Sequence, residues 1–265
     1  MLTKISATKL ESYVSCPYKF YLRYVKNVTH QHLSTDYMLM GTCVHKILEE
    51  FHLYVIGTKL PEDPIGLRLS LLEAASQLTM RHVRTIDNAH PGMLRRIKLA
   101  ESDVFGKYVR PYVEYFILNG FYLKRLEPEK QLDTTLGEIA NSLPREQLRP
   151  SYETYKDCLV QGKIDLVVYP DLIIDFKTSA SPASMKDLTK SFQTTLYSII
   201  FDKDLQFMFL YLSEKMKSKI VDIKKVDRIT RFNMLLEVME AIDGSVRYNK
   251  NPKSCYTCIF RKFCY

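Results

Sequence analysis

The 265-residue chain has no run of about 18 apolar residues, so a membrane-spanning helix is not expected. The start, Met1-Leu2-Thr3-Lys4-Ile5-Ser6, has neither the apolar core nor the cleavage site of a secretory signal. A cytoplasmic, reducing setting is therefore expected. Internal repeats, low-complexity tracts and long linkers are missing too, which leaves a compactly folded chain. Glycine and proline are sparse, at 9 and 11, and 46% hydrophobic with 26% charged residues is the balance of an ordinary globular protein. The length suffices for one domain with a substantial subdomain. A net charge of +8 suits a polyanionic partner, although the charge is spread rather than blocked.

What the chain does have is six cysteines, at 16, 43, 158, 255, 258 and 264. In a reducing compartment metal or cluster ligation is the better reading than disulfides. Cys255-x2-Cys258-x5-Cys264 supplies three thiolates, and an iron–sulfur or zinc site needs a fourth. Cys16, followed by Pro17, is the natural candidate. Such a site would pin the two ends of the chain together and make metal binding part of the folding free energy. Cys43 and Cys158 lie in apolar stretches and read as small core hydrophobes.

Apolar spacing predicts helices from Ser6 past Tyr21, from near Thr42 to Gly57, over 67–82, and over 93–118 with a disturbance at Pro111. The period then changes. Strands are predicted within 123–136, at 158–161, 164–169, 172–176, 205–212 and 219–226, with helices at 185–201 and 229–248. This divides the chain into a helical region 1–120, a mixed α/β core 121–250 and a cysteine tail 251–265.

The most informative stretch is Gly162 to Thr178. Tyr169-Pro170-Asp171 separates two apolar runs and predicts a hairpin turn. An odd loop would set Asp165 opposite Asp175, and strand alternation puts Asp175 and Lys177 on one face in any register. Two carboxylates and an ammonium among apolar neighbours are costly without a task. They suit a hard divalent cation such as Mg²⁺ or Mn²⁺, which activates water against a phosphodiester, with Lys177 stabilising developing charge. A structural Asp–Lys ion pair is the alternative from these residues alone.

Together these features resemble the PD-(D/E)xK nuclease superfamily, in its RecB/AddB-like iron–sulfur branch that includes the CRISPR-adaptation exonucleases. The resemblance rests on His45 in Gly41-Thr42-Cys43-Val44-His45, Gly162 to Asp165, Asp175-Phe176-Lys177, and Gln193-x3-Tyr197, in that order. It runs from Ser6 to Cys264 apart from a helical stretch at 60–120. Ile164 rather than proline precedes Asp165, and position 175 is Asp where many relatives have Glu. The resemblance implies a restriction-endonuclease-like mixed sheet flanked by helices, with a helical N-terminal subdomain and a C-terminal four-cysteine clasp.

It further implies that His45, Asp165, Asp175 and the Phe176 carbonyl hold Mn²⁺ or Mg²⁺, that Lys177 assists catalysis, and that Gln193 and Tyr197 line the site. Cys16, Cys255, Cys258 and Cys264 would hold a [4Fe–4S] cluster, with structural zinc as the rival. Glu129 is a weaker candidate acid, and His52 matches no family position and reads as structural. Arg23, Lys26, Arg81, Arg84, Arg95, Arg96 and Lys98 are candidate contacts to the DNA backbone. The implied activity is exonucleolytic hydrolysis of single-stranded DNA, in repair, recombination, phage replication or spacer acquisition, with a helicase or integration protein as possible partner. The rivals are a non-catalytic DNA-binding scaffold and a structural-zinc endonuclease on duplex DNA.

Overall fold

The computed structural model describes residues 2–28, 36–179, 182–245, 247–255, 258–261 and 264. A short strand β1 (Lys4–Ile5), not anticipated from the sequence, precedes α1 (Ala7–Ser15); Ser6 caps α1 by accepting the Lys9 N–H on its hydroxyl. Pro17 restarts the chain as α2 (Pro17–Phe20) directly after Cys16. Two long helices follow, α3 (Asp36–Gly57) and α4 (Pro64–Ala89). Both outrun the apolar period. Asp63 and Pro64 start α4 ahead of its first buried leucine, and α3 begins with Asp36 paired to Arg96.

The helix predicted across 93–118 is instead three pieces, α5 (Met93–Arg96), α6 (Glu101–Val104) and α7 (Arg110–Leu118). A wide π turn over Phe105–Val109 leads into α7, whose first turn holds Pro111. Proline has no N–H to offer the preceding turn, and the wider turn accommodates that loss.

The remaining elements are β2 (Leu126–Thr135), α8 (Leu136–Ala140), α9 (Tyr152–Tyr155), β3 (Leu159–Val168), β4 (Leu172–Lys177), α10 (Met185–Thr189), α11 (Phe192–Ile200), β5 (Leu205–Tyr211), β6 (Lys217–Ile223) and α12 (Arg228–Asp243). The two short strands predicted before the hairpin are one continuous β3. The sheet runs β2-β3-β4-β5-β6, with β4 and β5 parallel and the other pairs along this path antiparallel. Because β2 pairs along the whole of β3, β1 and β4 share the opposite edge: β1 at Leu159 and Val160, β4 only from Leu166 onward.

Helices cover both faces. One layer buries Leu10, Leu196, Phe232 and Leu236 against Val167, Ile173, Phe207 and Phe209. The other buries Val44, Ile47, Phe51, Leu71 and Phe116 against Leu166, Ile174, Phe176 and Leu210, so α3, α4 and α7 share a core with the sheet. Each such side chain contributes roughly 1.5–3 kcal/mol on burial. This is the mixed sheet flanked by helices that the restriction-endonuclease-like expectation requires.

The pleat of the sheet slips at one place. Ile164 packs in the first layer but Leu166 and Val168 in the second, although strand alternation should put all three on one side. On β2, Leu132 and Leu126 part in the same way. Between these residues Glu129 has φ +52°, and no pairing joins it to Asp165 across the ladder, while Pro128↔Leu166 and Lys130↔Ile164 flank the gap. A non-glycine residue in that conformation costs about 1–3 kcal/mol and persists only where the surroundings impose it.

Candidate active site

The Tyr169-Pro170-Asp171 loop is odd-numbered, with register Val168↔Leu172, Val167↔Ile173 and Leu166↔Ile174. Continued by one pair, that register sets Asp165 across from Asp175, at the point where β4 leaves β3. Beyond it β4 stays paired with β5 as far as Lys177↔Tyr211. The site lies in the fork between the two strands.

The fork is closed by side chains. Asp165 spans it, its Oδ2 accepting the Phe176 N–H at 2.7 Å and its Oδ1 lying 3.2 Å from His45 Nδ1. Tyr197 donates from its hydroxyl to the Lys163 carbonyl at 2.9 Å, on the stretch of β3 that β4 leaves unpaired. Lys177 Nζ is 2.7 Å from Asp175 Oδ2 and donates to Gln193 Oε1 at 3.3 Å, while Gln193 Nε2 donates to Asp175 Oδ1. Gln193 therefore clamps both the acid and the ammonium. Tyr197 is turned to the backbone instead and braces β3.

His45 comes from α3, which crosses close to the end of β4. At Gly41, one turn earlier, a Cβ would meet Thr178 Oγ1 at 3.1 Å. Two turns after His45, His52 lies flat on the Phe176 ring at 5.9 Å and shares a hydrogen bond with Tyr112 Oη at 2.6 Å. Burial pulls its pKa down to about 3, so it stays neutral, as its structural reading requires.

Glu129 sits opposite Asp165. One ligand atom each from His45, Glu129 and Asp165 fall within 4.8 Å of one another. Glu129 Oε2 and Asp175 Oδ2 are buried and make no hydrogen bond beyond their ion pairs with Lys163 and Lys177. Buried carboxylate oxygens left in this state, with an imidazole beside them, are a donor set that a divalent cation would complete. Glu129, the weaker candidate acid from the sequence, thus lies with His45 and Asp165, on a left-handed backbone that its residue type does not reveal. Glu11 was not anticipated. The Glu11 carboxylate accepts the backbone N–H groups of Phe192 and Gln193, which fixes the first turn of α11 beside Lys177.

The electrostatics follow from burial. Desolvation pushes the Asp175 carboxyl up to about 6, against the opposing pull of Lys177. Burial alone would lower His45, but its contact with Asp165 and the charges of Asp165 and Asp175 outweigh that and raise it. To hold a divalent cation, both groups would first have to lose a proton. Mn²⁺ affinity is therefore expected to climb as pH rises through about 6 and to level off above the His45 transition; calorimetric titrations across that range would read it, and a flat profile would contradict it. Without a cation the sign reverses for stability. Asp175 titrates higher in the folded than in the unfolded chain, so its contribution is present at low pH and lost as pH rises through about 6.

Elsewhere, Cys16 and the tail cysteines are brought to one end of the molecule. The Asn251 N–H donates to Cys16 Sγ at 3.4 Å, and Cys255 Sγ lies 3.5 Å from the Asn251 carbonyl. Burial raises the Cys264 thiol, and the neighbouring Cys258, Cys255 and Cys16 add to the rise. Cys43 and Cys158 are buried, with thiols pushed up to about 11 by desolvation. Of the basic residues singled out for DNA, Arg81, Arg84 and Arg96 are committed to Glu50, Glu101 and Asp36. No described helix is long and apolar enough to cross a membrane.

Comparison with curated proteins gives no match. Among solved structures, a protein of Eubacterium rectale described as a candidate exonuclease superposes with a TM-score of 0.52 at 11% identity, covering 99% of this chain and 88% of that one. SSO0001 gives a TM-score of 0.37 at 16% identity, over 84% and 94% of the two chains. The first likeness supports the fold. Residues 4–265, which include the fork, match the family profile of these nucleases, and the chain belongs to the PD-(D/E)XK nuclease superfamily.

Proposed function

We propose that the chain is a divalent-cation-dependent exonuclease acting on single-stranded DNA ends, in repair, recombination, phage replication or spacer acquisition, beside a helicase or integration protein. The observation that carries this reading is the fork, where an imidazole, buried carboxylates and a clamped ammonium converge. The exonuclease description of the Eubacterium rectale protein agrees with it.

In this reading His45, Asp165, Asp175 and the Phe176 carbonyl hold the cation, with Glu129 as a further carboxylate. An imidazole among the ligands favours Mn²⁺ over Mg²⁺. A bound cation would polarise the phosphodiester and lower the pKa of its water. Lys177 is held by Asp175 and Gln193 where it can stabilise charge developing on the phosphate. Tyr197 keeps the Lys163 carbonyl, and so the Asp165 side of the fork, in position. We read the four thiols of Cys16, Cys255, Cys258 and Cys264 as ligands of a [4Fe–4S] cluster, supported by their gathering at one end of the molecule.

End-labelled single-stranded DNA with Mn²⁺ tests the activity. Stepwise loss from the ends, stopped by a chelator, is the expected result. Equal or faster cutting of duplex or circular DNA would overturn the exonuclease reading.

A further inference from the structure

A second surface on the chain has the chemistry of a nucleic-acid contact. Where α2 passes the segment after α12, five aromatic rings run in sequence. Tyr18 and Tyr21 lie 5.9 Å apart, Tyr21 stacks on Tyr248 at 5.0 Å, Tyr248 on Phe20 at 6.2 Å, and Phe20 meets Tyr24 at 5.3 Å. Phe20 is buried, and the four tyrosines are half-buried. Exposed cations stand over them, with Lys26 5.7 Å from the Tyr21 ring, Arg23 5.4 Å from Tyr24 and Lys250 5.3 Å from Tyr18. Among the described residues Arg23 and Lys26 form no ion pair with a carboxylate, unlike Arg81, Arg84 and Arg96.

Beside the rings is a cleft of about 350 Å³, walled in part by Lys9, Tyr24 and Tyr248. Asp243 is the acid on its rim, and it accepts the Leu2 N–H. Rings packed only on one another would need neither half-buried tyrosines nor the unpaired Arg23 and Lys26 over them. Aromatic faces interleaved with positive charge are what an unpaired strand requires, its bases stacking while its phosphates are neutralised.

We propose that Tyr18, Tyr21, Tyr24 and Tyr248, with Arg23 and Lys26, form a platform that binds single-stranded DNA outside the fork. This rests on the nuclease reading of the fork and extends it. The two places are linked through α1: its Glu11 holds the first turn of α11 beside Gln193, and Tyr18 lies seven residues later on α2, just past the extended break at Cys16, which is at most about 25 Å of chain. A strand with its end in the fork thus has a nearby track for its next nucleotides. Only a substrate long enough to reach the platform would gain from it.

Fluorescence anisotropy with labelled thymidine oligomers of about 4 and about 16 nucleotides, in chelator so that nothing is cut, tests the proposal. Wild type is expected to bind the longer oligomer more tightly, and Tyr21→Leu or Tyr248→Leu to lose roughly fivefold or more of that preference. Tyr21→Phe, which keeps the ring, should retain it. Should the leucine variants fail to fold, the Arg23→Ala/Lys26→Ala double variant decides, because both residues are exposed. Its salt dependence should flatten by roughly 1 to 1.5 in log–log slope.

An unchanged slope and unchanged length preference in that variant would overturn the platform, as would equal binding of duplex. Preference for an acidic polypeptide over DNA would overturn it as well. Mn²⁺-dependent cutting by wild type is measured alongside. If wild type cuts but the platform variants bind like it, only the platform fails; if wild type does not cut, the reading of the fork fails first.

Discussion

The Lys177→Ala protein is expected to bind a divalent cation and single-stranded DNA, yet to cut about 10²–10³-fold more slowly than wild type. Lys177 touches the Asp175 carboxylate and Gln193, so its removal takes away a positive charge without removing a ligand. The loss should fall on kcat rather than KM, since the charge matters most where negative charge develops. One side effect can be separated. Breaking a buried ion pair leaves an unpartnered carboxylate, which protonates more readily. The pH at which Asp175 ionises should therefore move upward in the variant whatever the role of Lys177, so the rates are compared on the high-pH plateau, where only a loss of charge stabilisation remains. Asp165→Asn makes the contrast. Its amide oxygen still accepts the Phe176 N–H, which keeps the fork closed, whereas Asp165→Ala would leave that buried N–H unsatisfied at about 1–3 kcal/mol. Asparagine at 165 should weaken cation binding and cutting together. Cutting at the wild-type rate by the Lys177 variant would sink the assignment of roles.

Cys→Ala at 16, 255, 258 or 264 is expected to release the C-terminal tail, with lower solubility, a lower melting temperature and weaker DNA binding together. Apart from the buried Phe260 ring, the described contacts of the tail are weak polar ones. The Tyr18 N–H donates to the Asn249 carbonyl at 3.2 Å, and Asn251 Nδ2 and Ser254 Oγ each donate to the Ser15 carbonyl at 2.8 Å. Such partly exposed bonds contribute about 0.5–1.5 kcal/mol each. A structural metal site of thiolates contributes on the order of 10 kcal/mol. A metal held by these four thiols would therefore be the larger tie, even beside the buried Phe260 ring. Iron and labile sulfide in the purified protein, lost in the variants, would support the cluster; stoichiometric zinc would replace it with the rival metal. Full stability and normal DNA binding in a cysteine variant would remove the clasp. Lys250, which reaches the Cys264 carbonyl at 2.5 Å while covering Tyr18, ties the aromatic platform to the same outcome.

The hairpin was legible because Tyr169-Pro170-Asp171 interrupts two apolar runs and so fixes where the chain turns. His45, Gln193 and Tyr197 were legible only through their order along the chain, since a lone histidine or a Gln–Tyr spacing has many bland explanations. The target of Tyr197 was not legible, because the Lys163 carbonyl becomes available only where β4 departs from β3. Glu11 escaped for the same kind of reason. It lies far in sequence from the α11 turn it caps, and nothing in its own neighbourhood marks it. The pleat slip was hidden because Val160, Ile164, Leu166 and Val168 keep an unbroken alternation with Gln161, Lys163 and Asp165, and an apolar residue suits either of the two covered faces.

That slip gives β3 two reading frames spliced at Asp165. Val160 and Ile164 are written in the frame of the layer carrying α11, and Leu166 and Val168 in the frame of the layer carrying α3. The splice is where a histidine from one layer and a glutamine from the other can address neighbouring carboxylates, which a strand of a single frame would hold on one side of the sheet. Shortening β3 by one residue ahead of Asp165 would leave the hairpin register untouched and still misdirect everything upstream of it.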